Sequence, residues 1–195
     1  TLALATIIIF FFLKPDPYLT ANVSTDGITQ RKHEKTRDAL KHIREIPRAL
    51  FAITSVGLGH LAMVSIMVMT PVHMSHVDVT LSVIGLVISV HVLGMYAFSP
   101  LVGALSDKLG RIRVIQIGVA ILISAAIIAG LSPAMNPVSL GIGLFLLGLG
   151  WSCTLIAGST LLSESVSVEM KPSSQGASDL VMNLMGAVGG AASGV

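Results

Sequence analysis

Ionisable and strongly hydrogen-bonding side chains are costly inside long apolar segments, so they mark candidate chemistry wherever they occur there. Few exist in this chain of 195 residues, which is 53% apolar and only 11% charged. They are His60, His91, Asp179 and Asn183. A histidine titrates in the physiological range, so His60 and His91 are candidates for a cavity wall that binds a solute or relays protons. The competing reading is an imidazole hydrogen-bonded between two helices. Asp179 falls about four residues into its expected helix and reads as a first-turn charge or gate contact rather than a mid-membrane proton carrier. Asn183, one turn deeper, is a further cavity candidate. Thr54, Ser65, Ser89, Ser152, Thr154 and Ser159 are easily satisfied by backbone carbonyls and carry less signal.

A second chemistry is written in His60, Met63, Met67, Met69, His73, Met74 and His76. Thioether and imidazole groups suit soft cations such as Cu(I), and four of these residues fall on one helical face. Methionine is equally an ordinary flexible apolar residue, and His73 and His76 come at the end of their segment. Metal binding or transport is therefore the alternative reading, with no resident metal or cofactor expected. Other chemistries lack support. There is no G-x-x-x-x-G-K-S/T, no G-x-G-x-x-G after a strand, no H-E-x-x-H and no nucleophile elbow. Neither an enzyme, nor ATP-driven transport, nor a nucleic-acid partner is indicated. The one cysteine, Cys153, excludes an internal disulfide or a multi-cysteine zinc site and reads as a packing residue.

The elements that must position these groups are membrane helices. Mean hydropathy is +0.85, and apolar runs of membrane length recur. Residues 1–13 are uniformly apolar but too short to span; they read as the end of a helix stopped by Lys14-Pro15-Asp16-Pro17. A signal peptide fits them poorly, and with both ends inside apolar runs the chain is expected to be a piece of a longer protein. A polar connector over 14–47 follows. Within it Thr36–Ile46 is expected as a solvated linker helix, with the membrane surface as the other option for its apolar side, Leu40, Ile43 and Ile46. Five further spans are expected, over about 49–73, 80–105, 113–131, 138–162 and from 176 onward.

Placement of charge orients these spans. All 12 Lys and Arg residues lie in the 14–48 connector, the 106–113 turn or the 163–175 loop, and none lies in 74–79 or 132–137. The positive-inside rule assigns the basic segments to the cytoplasm. A multi-pass protein of the cell membrane is expected, with lipid bilayer as its surroundings.

The turn Gly103-x-x-x-Asp107-Lys108-x-Gly110-Arg111-x-Arg113 resembles the signature loop of the major facilitator superfamily, G-x-x-x-D-R/K-x-G-R-R/K. It departs once, where Ile112 takes a basic position. The resemblance extends over essentially the whole chain and implies a fold: an all-α integral membrane protein, a partial major-facilitator-type bundle with five spanning helices and the truncated end of a sixth. It implies residues 1–13 as the end of helix 6, 14–47 as the central cytoplasmic linker, and 48–195 as a truncated C-terminal six-helix half, helices 7 to 11. It further implies secondary transport of a small-molecule substrate by alternating access, in partnership with the missing N-terminal half; coupling to protons as efflux by antiport is the expected form.

For the turn itself, Gly103 and Gly110 permit close approach and tight turning. Asp107 is expected to accept from free N–H groups near the next helix start or to face the positive end of another helix. Lys108, Arg111 and Arg113 are placed to anchor at anionic headgroups. In the family such a loop biases the inward–outward equilibrium. Glu164, at the end of the 138–162 span, is expected to pair with Arg111. Gly186, Gly189, Gly190 and Gly194 are expected to be packing surfaces.

Overall fold

Prolines and a single glycine set the helix boundaries. A computed structural model describes residues 11, 36–75, 79–133 and 136–193. Apart from Phe11, these lie in the compact unit His33–Val195. Its helices are α1 (Thr36–Glu45), α2 (Pro47–Ser75), α3 (Leu81–Tyr96), α4 (Ser99–Leu109), α5 (Arg111–Leu131), α6 (Pro137–Ser165) and α7 (Lys171–Ser193), with a 3-10 turn at Val168–Met170. Among the described residues there is no strand. The expected helix end over 1–13 lies outside the described residues, save Phe11.

Pro47 and Pro137 open α2 and α6, where a missing N–H costs nothing. Asn136 caps α6, its side-chain oxygen accepting from the Ser139 N–H at 3.1 Å. Pro71 is carried inside α2, which continues to Ser75 rather than closing at the proline. The expected single span over 80–105 is interrupted at Ala97 and Phe98, because Pro100 cannot donate to Tyr96 and its ring crowds that carbonyl. The interruption is mild: the Ala97 N–H still reaches Leu93 O at 3.0 Å, and Leu81–Leu109 remains one run of membrane length. Gly110 separates α4 from α5 at φ 91°, ψ 151°, a conformation that only glycine adopts without strain.

Among the described residues, four helical runs are long and apolar enough to cross a membrane: Pro47–Ser75, Leu81–Leu109, Arg111–Leu131 and Pro137–Ser165. The fifth expected span corresponds to α7. It is long enough but more polar, with Ser173, Ser174, Gln175, Ser178, Asp179 and Asn183 in its first half. It also begins at Lys171, well before 176, because Pro172 sits in the first turn, where it is tolerated.

The core is built around α6. Its membrane window is 61% buried, against a third or less for the other three runs. It packs on α5, α3 and α2 at once, while α7 lies along α2. Small residues permit this: a Cβ on Gly118 of α5 would meet the Cys153 Cβ at 2.7 Å and the Gly150 carbonyl at 3.0 Å. Helices that gain no hydrophobic drive from lipid must approach this closely to gain dispersion energy.

The expectation of a solvated linker helix over Thr36–Ile46 does not hold for α1. Ala39 and Ile43 are fully buried with Ala52 and Ile53 of α2 and Ala177 of α7. A ten-residue helix is marginal alone in water, and burying one isoleucine contributes about 1.5–3 kcal/mol, so packing accounts for its order.

Candidate functional site

The basic turn is an ionic junction between three helices. Arg111, the first residue of α5, donates from Nη1 to Asp107 Oδ1 of α4 at 2.5 Å. It also donates from Nη2 and Nε to Glu164 Oε1 of α6, at 2.9 and 3.2 Å. The expected Arg111–Glu164 contact is thus present in the structure, and Asp107 joins it. The rigid fork of guanidinium donors is what lets one side chain hold two carboxylates.

Two expectations about this turn need correction. Asp107 lies in the last turn of α4 and does not cap α5, whose N-terminus starts at Gly110 with no side-chain cap. Its charge is turned to Arg111 because the i,i+4 spacing brings them together across the glycine. At Gly103 no neighbour lies within 4 Å of where a Cβ would be, so no helix approaches there among the described residues. Gly110, by contrast, is required by its φ. Lys108 and Arg113 are exposed and form no ion pair among the described residues.

The intramembrane candidates separate by environment. His91 is fully buried between α3 and α6. Its Nδ1 lies 2.8 Å from the Leu144 carbonyl, to which it donates, and Nε2 has no partner among the described residues. That is the interhelical hydrogen bond of the competing reading, and Gly94 and Gly148 bring α3 and α6 into close contact beside it. His60 is half-buried on α2, and its Nδ1 accepts the Trp151 Nε1–H of α6 at 3.0 Å. Its ring lies against Gly186 of α7, where a Cβ would meet Nε2 at 2.9 Å.

Asp179 and Asn183 sit on the exposed face of α7. The Asn183 amide donates to the Asp179 carbonyl at 2.7 Å, and Gln175 donates to the Asp179 carboxylate at 3.3 Å. Since α7 starts at Lys171, Asp179 lies about two turns in rather than in the first turn, at roughly 12 Å along the axis.

The histidine–methionine cluster does not converge. Met63 packs with Leu122, Leu147 and Trp151, and Met74 packs with Ile84, Val87 and Leu140, in two different parts of the core. His73 and Met69 are exposed, and His60 and His73 are about 20 Å apart along one helix. His76 lies outside the described residues. No group of three or more His, Cys, Asp or Glu that could hold a metal occurs among the described residues. Cys153 is free and buried against Gly118.

A cavity of about 460 Å³ opens between α3 and α6, lined by apolar groups including Val83, Val90, Pro137, Ile142 and Phe145. None of His60, His91 and Asn183 lines it. Trp151 is the site residue that charge and motif bookkeeping miss, because an aromatic in mid-span looks like core. The signal that finds it is a repeated tripeptide, Gly-Leu-Gly, which precedes His60 on α2 (Gly57-Leu58-Gly59) and Trp151 on α6 (Gly148-Leu149-Gly150).

Against known proteins, the family model described as Major Facilitator Superfamily matches residues 1–190. The uncharacterized MFS-type transporter YddS of Bacillus subtilis (strain 168) is 36% identical over 196 residues, covering 98% of this chain and 44% of the relative. A second, YdeG of the same organism, is 35% identical over 192 residues, covering 98% of this chain and 45% of the relative. The chain thus spans a little under half the length of these relatives. No solved structure matches it. The match across nearly the whole chain, the apolar helical bundle and the charged turn agree: this chain belongs to the Major Facilitator Superfamily.

Proposed function

We propose that the chain is the C-terminal half of a secondary active transporter that moves a small solute by alternating access with proton coupling, working with an N-terminal half. In this reading 14–47 is the central cytoplasmic linker of a cell-membrane protein. The observation that carries the reading is the junction of Arg111 with Asp107 and Glu164, which ties the ends of α4, α5 and α6 at the basic side of the bundle. A contact built of half-exposed charges can open and close at modest cost, whereas an apolar core cannot. The junction then biases the inward–outward equilibrium, and Gly110 sets the geometry that presents Arg111 to both carboxylates.

His60 supplies the solute- or proton-responsive group on α2, and Asp179 and Asn183 line the path from the uncovered face of α7. His91 is a packing histidine in this scheme. The test is solute-driven proton movement in everted membrane vesicles that carry the full-length protein, over a panel of small solutes. The reading expects at least one solute to dissipate an imposed proton gradient only when the protein is present. Solute uptake indifferent to the gradient would remove the proton-coupled version.

A further inference from the structure

The repeated Gly-Leu-Gly tripeptides place His60 and Trp151 at corresponding positions, each near the midpoint of a 29-residue helix that opens on proline. The two side chains face each other where α2 and α6 pack, with ring centroids 6.1 Å apart and the indole N–H on the imidazole Nδ1 at 3.0 Å. On its other side the indole meets the Tyr96 ring edge-on at 6.3 Å. Trp151 is almost wholly buried, so its N–H is committed to this one acceptor.

We propose that Trp151 is the positioning residue for His60, holding the imidazole as its Nε2–H tautomer and forming a link between α2 and α6 that exists only while His60 is neutral. This deepens the reading of His60 given above and rests on it for its role in transport.

The argument is one of donors and acceptors. An indole N–H can only donate, so the nitrogen that receives it must carry a lone pair. A neutral imidazole accepting at Nδ1 carries its proton on Nε2. That N–H has no hydrogen-bond partner among the described residues and lies at Gly186, where a side chain would collide with it. A glycine at 186 therefore leaves the donor free for a solute acceptor or a water. Adding a proton at Nδ1 turns the acceptor into a donor, and the Trp151 bond breaks. A buried indole N–H left unpaired is costly, so proton uptake and the α2–α6 link exclude one another.

No charged neighbour takes over this role. Among the described side chains, the charged or titratable groups on the elements packed against α2 are Asp38, Lys41, His42, Arg44 and Glu45 of α1, His91 and Tyr96 of α3, Arg111 and Arg113 of α5, Cys153 and Glu164 of α6, and Lys171 and Asp179 of α7. None of them makes an ion pair or hydrogen bond with His60 among the described contacts.

Trp151 is the chain's single tryptophan, so its emission reports on its own contact. The experiment is a fluorescence titration of the purified 195-residue chain in detergent between about pH 8 and 5, the range in which histidine changes charge. The inference expects emission to follow a one-proton curve, lost in His60→Gln, whose amide oxygen still accepts the indole N–H without titrating, and retained in His91→Gln. A flat wild-type response, or the same curve in His60→Gln, overturns it. If His60→Gln loses helical circular dichroism, nitrogen-15 NMR of the histidine-labelled wild-type chain decides. An imidazole at 60 protonated on Nε2, with an unprotonated Nδ1 whose shift changes in Trp151→Phe, supports the inference; one protonated on Nδ1 overturns it. Neither readout needs a transported solute, so a failed transport assay beside an intact titration would count against the proposed coupling alone.

Discussion

Arg111 and Glu164, 53 residues apart in sequence, meet through two N–H donors on one carboxylate oxygen, at 2.9 and 3.2 Å. The same guanidinium reaches Asp107, so one side chain holds three helix ends together. Lysine carries the charge without the fork. Arg111→Lys is expected to keep one carboxylate and lose the other, melting between wild type and Arg111→Ala. Because the carboxylates are exposed, high salt should lower the wild-type melting temperature and leave Arg111→Ala almost unmoved. Thermal melts of the three proteins at low and high salt check this.

The two motif glycines are expected to behave oppositely. Gly110→Ala forces a side chain onto φ 91° and should cost about 1–3 kcal/mol. Gly103→Ala meets open space within α4 and should be stabilising by about 0.5–1 kcal/mol. Comparing the midpoints of their denaturation curves separates a conformational glycine from a permissive one.

Close packing of α5 on α6 predicts a third result. Gly118→Val places methyl groups where the Cys153 Cβ and the Gly150 carbonyl already sit, and overpacking of this kind costs about 1–3 kcal/mol. The helices must separate to admit it. Cys153, buried and the chain's one thiol, should then react with a maleimide several-fold faster than in wild type, measured by mass spectrometry.

Docking of α1 depends on Ile43, which is 1% exposed, and on Ala39. Ile43→Asp buries a carboxylate among apolar groups and should release the helix. Trypsin is then expected to cleave after Lys41 and Arg44 faster than in wild type. Glu45→Ala, on the solvent side, should leave the rate unchanged.

Much of this architecture is visible in the chain because membrane helices are written in plain terms. The one-sided placement of Lys and Arg, the breaks at Pro133 and Pro137, and the pairing of Arg111 with Glu164 all follow from charge, length and spacing. What escaped depends on neighbours that sequence cannot supply. His91 reads like His60 in one dimension; a carbonyl of α6 makes it a buried link. Pro172 looks like a helix stop, yet it lies in the first turn of α7 and so moves Asp179 deeper than its spacing suggests. Thr36–Glu45 looks solvated by composition, and only the groove between α2 and α7 explains its buried isoleucine. Trp151 gains meaning only from the imidazole opposite it.

The central claim, that the Arg111 junction holds the basic ends of α4, α5 and α6 together and sets how readily they part, is tested most directly by charge reversal in the full-length protein. Arg111→Glu, Glu164→Arg and the double variant are compared by amide hydrogen exchange at the first turn of α5 and the last turn of α6. Each single reversal puts like charges in contact and should speed exchange at both sites, while the double variant restores an opposite pair and should recover much of the protection. Single reversals that exchange like wild type, or a double variant as fast as the faster single, would contradict it.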